Sequence, residues 1–569
     1  MTHPSATTAH HSALNTAQRT RDLTALREGA PLDLIVIGGG ITGVGVALDA
    51  VTRGLTTALL ERRDIGHGTS RFSSKLAHGG LRYLTKGEIG IAHHSAVERG
   101  ILMEHTAPHL VKALPQLTAL GPDTNLIQKA AMRAGFIAGD LLRITAGTKA
   151  TTLPRSRFAT AQETKKLCPE VTPQGLLGSW INYDGQMVDD ARVALAVART
   201  AASHGAHILT RINVTEANGT TITATDDLTG DHLTLTARAV VSATGVWAGE
   251  LASDISVRPS RGTHLIVHAK RLGNPTGALT VPLPGSISRY LFILPAPLGR
   301  CYIGLTDEEQ PGPIPDVPPT PEEDINFLLE NINRILKNPL THDDIIGAFT
   351  GLRPLLESGD HTSTADMSRR HAVLTAPNGL ISVVGGKFTE YRLMAEDTVN
   401  HIITERHLAA GPCVTQHTPL IGSPTHPHYA VNADRLDDLP DGLIHRFGNE
   451  APNVIDAATI ERPRDTITGT DILRAEIEYA VTHEGALSVD DVLDRRTRIG
   501  LVEDDRATTY HEVATIVETA LANTHSITPH DHANATNTGT TTHENHATHH
   551  TTVKNKKGNN RTNHQGEER

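Results

Sequence analysis

Gly38-Gly39-Gly40-Ile41-Thr42-Gly43 carries the GxGxxG spacing that can cradle a pyrophosphate. It follows a buried-strand run at residues 33–37 (DLIVI) and precedes a helical pattern at 44–52. Gly38 permits the tight turn off the strand, Gly40 lets backbone approach the phosphates, and Gly43 lets helix and strand pack closely. A helix starting at Ile41 and Thr42 turns free N–H groups and its positive dipole end towards that anion. A second strand at 56–60 (TTALL) delivers Glu61, eighteen positions after Gly43, with Arg62 beside it. A carboxylate there accepts hydrogen bonds from ribose hydroxyls and disfavours a 2′-phosphate. The chemistry is dinucleotide binding. NAD and FAD share this fingerprint, so this segment alone leaves the cofactor open.

The elements that must hold this loop are those of a large α/β protein. At 569 residues, with 38% hydrophobic and 20% charged residues, the chain is sized for two or three domains plus tails. Residues 1–30 read as a largely flexible leader ending in a short helix near 13–28. Residues 31–410 alternate β-branched runs with helical patterns, as layered sheets and helices do. Residues 411–429, rich in Pro, Gly and His, read as a linker, and 430–523 as a helical domain. Residues 524–569 are Thr, Asn and His with almost no large apolar side chains, and such a segment stays disordered. A net charge of −11 without a dense Lys/Arg stripe argues against a nucleic-acid partner. Three scattered cysteines give neither a disulfide framework nor a thiolate metal site, and no metal is expected. There is no secretory h-region and no apolar run of about 18 residues, which points to a cytoplasmic protein.

Residues 64–84, DIGHGTSRFSSKLAHGGLRYL, resemble the flavin-facing segment of the FAD-dependent, quinone-linked glycerol-3-phosphate dehydrogenase family. Collinear matches follow in VDDAR (188–192), SATGVW (242–247), RGTH (261–264), GLRPL (351–355), VVGGKFTEYR (383–392) and RRTRIGL (495–501). The resemblance spans about residues 31–520 and excludes both tails. Two departures occur: the usual IGTTD reads IGLTD at 303–307, and the usual TTYR reads TEYR at 389–392.

The resemblance implies a discontinuous FAD-binding Rossmann-like domain, an α+β substrate-binding cap and a helical C-terminal domain. It implies oxidation of sn-glycerol 3-phosphate to dihydroxyacetone phosphate, in glycerol catabolism, by hydride transfer to flavin N5. Arg82, Tyr83, Arg353 and Arg369 would bind the substrate, since guanidinium forks match a phosphate dianion. His78 is the favoured base and His264 its competitor, with Lys387 near the phosphate or the flavin N1–O2 edge. Beyond the loop and Glu61, the cofactor set comprises Arg62, Thr69, Ser70, Ser74, Lys75, Leu76, Thr244, Gly245, Gly385, Gly386, Lys387 and Thr389. Quinone is the expected electron acceptor, dioxygen its rival, and a homodimer the expected assembly. A stretch at 125–158, with Lys129, Arg133, Arg143, Lys149, Arg155 and Arg157 against Asp140, suits peripheral contact with a membrane's inner face. Two other readings stand beside this one: a flavin oxidase of an amine or amino acid, and a non-enzymatic FAD or nucleotide sensor.

Overall fold

The apolar run after Asp33 becomes a fully buried strand, Leu34–Ile37, near the middle of a six-stranded sheet. Thr57–Glu61 and Ala239–Ser242 flank it in parallel. His207–Thr210 and Ile381–Gly385 extend the sheet in parallel, and His371–Thr375 closes one edge antiparallel. Side chains alternate along a strand. Leu34 and Val36 therefore pack under the helices Ile41–Thr52, Asp190–Ser203 and Tyr391–Arg406. Ile35 and Ile37 face the other layer, a three-stranded meander at 212–236 together with the first helix. The computed structural model describes residues 12–84, 87–121, 126–284, 289–356 and 370–526.

A ten-stranded, mostly antiparallel sheet forms the cap. Its long strand Val257–His268 pairs with Ile345–Leu356 on one side and Arg300–Gly304 on the other. The register sets Ser260 opposite Arg353, Gly262 opposite Gly351, and His264 opposite Phe349. With a side-chain period of two, those six residues share one face.

The helical region carries Arg474–Thr482 and Glu503–Ser526, which bury Ile477, Val481, Val513 and Val517 around Val492 and Leu493. Buried ion pairs tie it to the nucleotide domain. Asp64 accepts from Arg495 at 2.5 Å and from Arg496 at 2.8 and 2.9 Å. Arg192 meets Glu484 and Arg199 meets Glu450, each at 2.7 Å. Burial alone would raise the Asp64 carboxyl; Arg496 and Arg495 override it and hold the group well below the usual carboxylate range.

Three expectations need correction. The short helix expected near 13–28 is present as Thr16–Arg27, but the leader is not loose from Ser12 onwards: this helix buries Leu23 and Leu26 and pairs Arg19 with Asp226 at 2.7 Å. The 411–429 segment is irregular, as its composition suggests, but it is packed down. Leu420 and Ile421 are buried, and the Ile421 N–H donates to Thr200 Oγ1 at 3.1 Å. In the basic stretch, Arg143 is buried and donates to the Thr148 carbonyl at 2.7 Å, so it presents no surface charge. The tail beyond Ser526 lies outside the described residues.

Candidate active site

A cleft of about 1630 Å³ is lined by residues of both sheets. That exceeds the about 300–1,000 Å³ of a pocket for one small ligand, so a dinucleotide and a small substrate fit together.

At its nucleotide end the wall is backbone. Gly38 has φ +107°, and a Cβ there would stand 2.7 Å from the Ala243 carbonyl oxygen. A Cβ on Gly43 would overlap the Gly38 carbonyl, so Gly43 serves packing and does not itself line the cleft. Gly38, Gly40, Ile41 and Thr42 do line it. The Ile41–Thr52 helix has no side-chain cap of its own; the Ile41 N–H donates to Ser70 Oγ at 2.9 Å. Glu61 is fixed by two N–H donors, Gly39 at 2.6 Å and Arg63 at 2.7 Å. Burial nevertheless raises its pKa. Arg62 lies over the Trp247 ring at 5.0 Å, beside Thr244 and Gly245.

Further along, the segment after Glu61 is stitched to the cap. Thr69 Oγ1 donates to the Leu352 carbonyl at 2.6 Å, and Ser74 Oγ meets His264 Nε2 at 2.9 Å. Ser74 and Leu76 line the cleft, but Lys75 does not. Its backbone has φ +57°, and its ammonium turns into the protein to bond Asp190 at 2.9 Å and the Arg71 carbonyl at 2.9 Å. Burial pushes that ammonium down to about 8. Lys75 thus moves from the expected cofactor contacts to the scaffold behind them. On the opposite wall, Gly385, Gly386 and Lys387 turn the chain from its strand into the helix Tyr391–Arg406. Thr389 Oγ1 is buried there without a hydrogen-bond partner among the described residues.

The reactive end is built from side chains. The His264 ring is clasped between Phe349, stacked at 4.6 Å, and the bare Cα of Gly304. Burial, then the charges of Lys75 and Arg353, push its pKa well below the ordinary histidine value, so the ring is neutral. Arg353 crosses Gly262, where a Cβ would come within 3.0 Å of its Cζ. It donates to Ser260 Oγ at 3.1 Å and Asp307 at 3.3 Å. Lys387 lies 4.1 Å over the Tyr83 ring and bonds Ser95 and Glu390. His78 and Tyr83 line the same cleft. The turn after His78 is braced by Asp184, which accepts from the Gly79 N–H at 2.8 Å and from Arg99 at 2.6 Å. Arg82 falls on the short helix Leu81–Leu84, with its side chain outside the description, and Arg369 lies outside the described residues.

Sequence reasoning missed Trp247, Phe349, Ser95, Glu390 and Asp184. All but Glu390, which pairs with Lys387 three residues before it, act through partners remote along the chain, and only the SATGVW and TEYR matches flagged any of them. The residues present fit FAD. A side-chain-free phosphate wall, a carboxylate at the ribose position and the Thr389 hydroxyl, unpartnered among the described residues, form one continuous lining.

Residues 33–392 match the family of FAD dependent oxidoreductases, and residues 413–526 match the C-terminal domain of alpha-glycerophosphate oxidase. The chain is 56% identical over 501 residues to glycerol-3-phosphate dehydrogenase 1 of Mycobacterium tuberculosis, covering 87% of this chain and 97% of that one. It is 34% identical to glycerol-3-phosphate dehydrogenase of Mycobacterium leprae, covering 86% and 85%. Among solved structures it resembles the glycerol-3-phosphate dehydrogenase from Bacillus halodurans complexed with FAD. The TM-score is 0.68 at 25% identity, covering 91% of this chain and 95% of that one. With the glycine loop, the cap and the helical C-terminal region all accounted for, the chain belongs to the FAD-dependent glycerol-3-phosphate dehydrogenase family.

Proposed function

We propose that this protein oxidises sn-glycerol 3-phosphate to dihydroxyacetone phosphate and passes the electrons to a quinone at a membrane surface, within glycerol catabolism. The observation that carries this reading is the meeting of His264, Arg353, Lys387 and His78 around a cleft continuous with the glycine loop. When bound, FAD supplies a hydride acceptor at N5 of its ring. Arg353 holds the substrate phosphate with a charge-assisted fork, and its bond to Asp307 keeps that fork aimed. Arg82, Arg369 and Tyr83 complete the substrate contacts. His78 takes the C2 hydroxyl proton. His264 suits that step less well, because a base whose conjugate acid lies far below neutrality holds a proton poorly. A neutral His264 instead orients the hydroxyl by hydrogen bonding. Lys387 and Thr389 would help hold the flavin, the lysine supplying positive charge near the ring and the buried threonine hydroxyl a hydrogen-bonding group.

The exposed Ile137, Leu141 and Ile144 recur at spacings of four and three on the helix Leu126–Thr145. With Phe158, also exposed, and with Lys149, Arg155 and Arg157 nearby in sequence, they support an interfacial face for anionic lipid. No helix of the described residues is long and apolar enough to cross a membrane. The match to an oxidase's C-terminal domain favours dioxygen as the rival acceptor. Steady-state turnover with a quinone analogue, a dye and oxygen decides between them. Dihydroxyacetone phosphate formed with the quinone and little hydrogen peroxide in air is the expected result; stoichiometric peroxide makes the protein an oxidase.

A further inference from the structure

Lys387 enters the cleft wall from the Gly385-Gly386 turn, yet its ammonium is drawn back. It donates to Glu390 Oε1 at 2.7 Å and to Ser95 Oγ at 2.8 Å. Ser95 donates in turn to the same Glu390 oxygen at 2.5 Å. Glu390 is only 5% exposed and Ser95 is fully buried. The other carboxylates of this region are engaged elsewhere: Arg392 holds Glu98 at 2.6 Å and Glu396 at 2.7 Å. Glu390 is therefore a buried carboxylate set directly against the cation of this wall. In a water-poor cleft a counter-charge this close cancels much of the field an ammonium projects.

We propose that Glu390 is a positioning residue that sets how much of the Lys387 charge reaches the flavin ring, and thereby how readily that ring takes up electrons. The inference rests on the flavin reading of the cleft.

Sulfite tests it. The sulfur lone pair adds to oxidised flavin at N5, bleaching the band, and nearby positive charge stabilises the anionic ring that results. Glu390→Gln should keep its flavin and bind sulfite about tenfold or more tighter than the parent protein. The gain should vanish when Lys387→Met is added, which a merely structural role for Glu390 does not predict. Should Glu390→Gln fail to fold, Glu390→Asp withdraws the carboxylate by one methylene, and a smaller tightening is expected. A variant that holds flavin, is reduced by glycerol 3-phosphate and binds sulfite with parental affinity overturns the proposal while leaving the reading intact. A parent protein without flavin removes both.

Discussion

The two ends of the cleft are made of different material. At the nucleotide end, Gly38 and Gly40 remove side chains so that backbone N–H groups can meet an anion, and Gly43 lets the helix pack against the turn. At the other end, His78, His264, Arg353 and Lys387 bring chemistry on side chains from four separated segments. The first wall is local and needs about thirty consecutive residues. The second exists only after Val257–His268 and Ile345–Leu356 pair in one register and the Gly385-Gly386 turn faces them. Cofactor holding and substrate handling should accordingly fail separately.

The largest effect should come from the backbone wall. Gly43→Ala forces a methyl onto the Gly38 carbonyl, and backbone cannot yield as a flexible side chain can. The purified variant should be colourless, with flavin content by absorbance at least tenfold below the parent.

Side-chain changes should leave the colour and strike turnover. His78→Ala should lower kcat by about 10²–10⁴, the range of a lost general base. His264→Gln should cost much less. Because burial, Lys75 and Arg353 depress His264, its neutral form is fully populated above its own low pKa. Protonation then occurs only well below pH 6.5. The pH–rate profile of His264→Gln should therefore superimpose on the parent's between pH 6 and 8. A parental acid limb that disappears in His264→Gln exchanges the two roles.

Arg353→Ala should raise KM for glycerol 3-phosphate by about 10- to 150-fold, from the about 1.5–3 kcal/mol of a charge-assisted hydrogen bond. Arg353→Lys should recover only part of that, because an ammonium keeps the charge but not the fork. The smallest effect belongs to Thr389→Val, which keeps the shape and deletes one hydroxyl. About 1 kcal/mol, or some fivefold in flavin affinity by apoprotein titration, is expected.

The same contrast explains what was legible in the sequence. DLIVI, the glycines, TTALL and Glu61 are contiguous, and parallel strands buried on both faces read as unbroken apolar runs. The fold of that half could be read directly. The resemblance motifs flagged His264 and Arg353, but not that Phe349 and Gly304 clasp the histidine ring, because those contacts come from cross-strand register. Lys75 misled for a related reason. It sits inside the SSKL match, yet a left-handed backbone turn aims it at Asp190, 115 residues away. The leader misled through composition: a polar helix can still dock when a part-buried ion pair, Arg19 to Asp226, a second pairing of Asp22 with His207 and two buried leucines anchor it.

The most direct test of the whole account is a visible spectrum of the purified protein, taken without oxygen, before and after glycerol 3-phosphate is added. A yellow protein whose flavin band bleaches, with one dihydroxyacetone phosphate formed per flavin, is the predicted result. A colourless protein, or a flavin band that glycerol 3-phosphate leaves untouched, contradicts it.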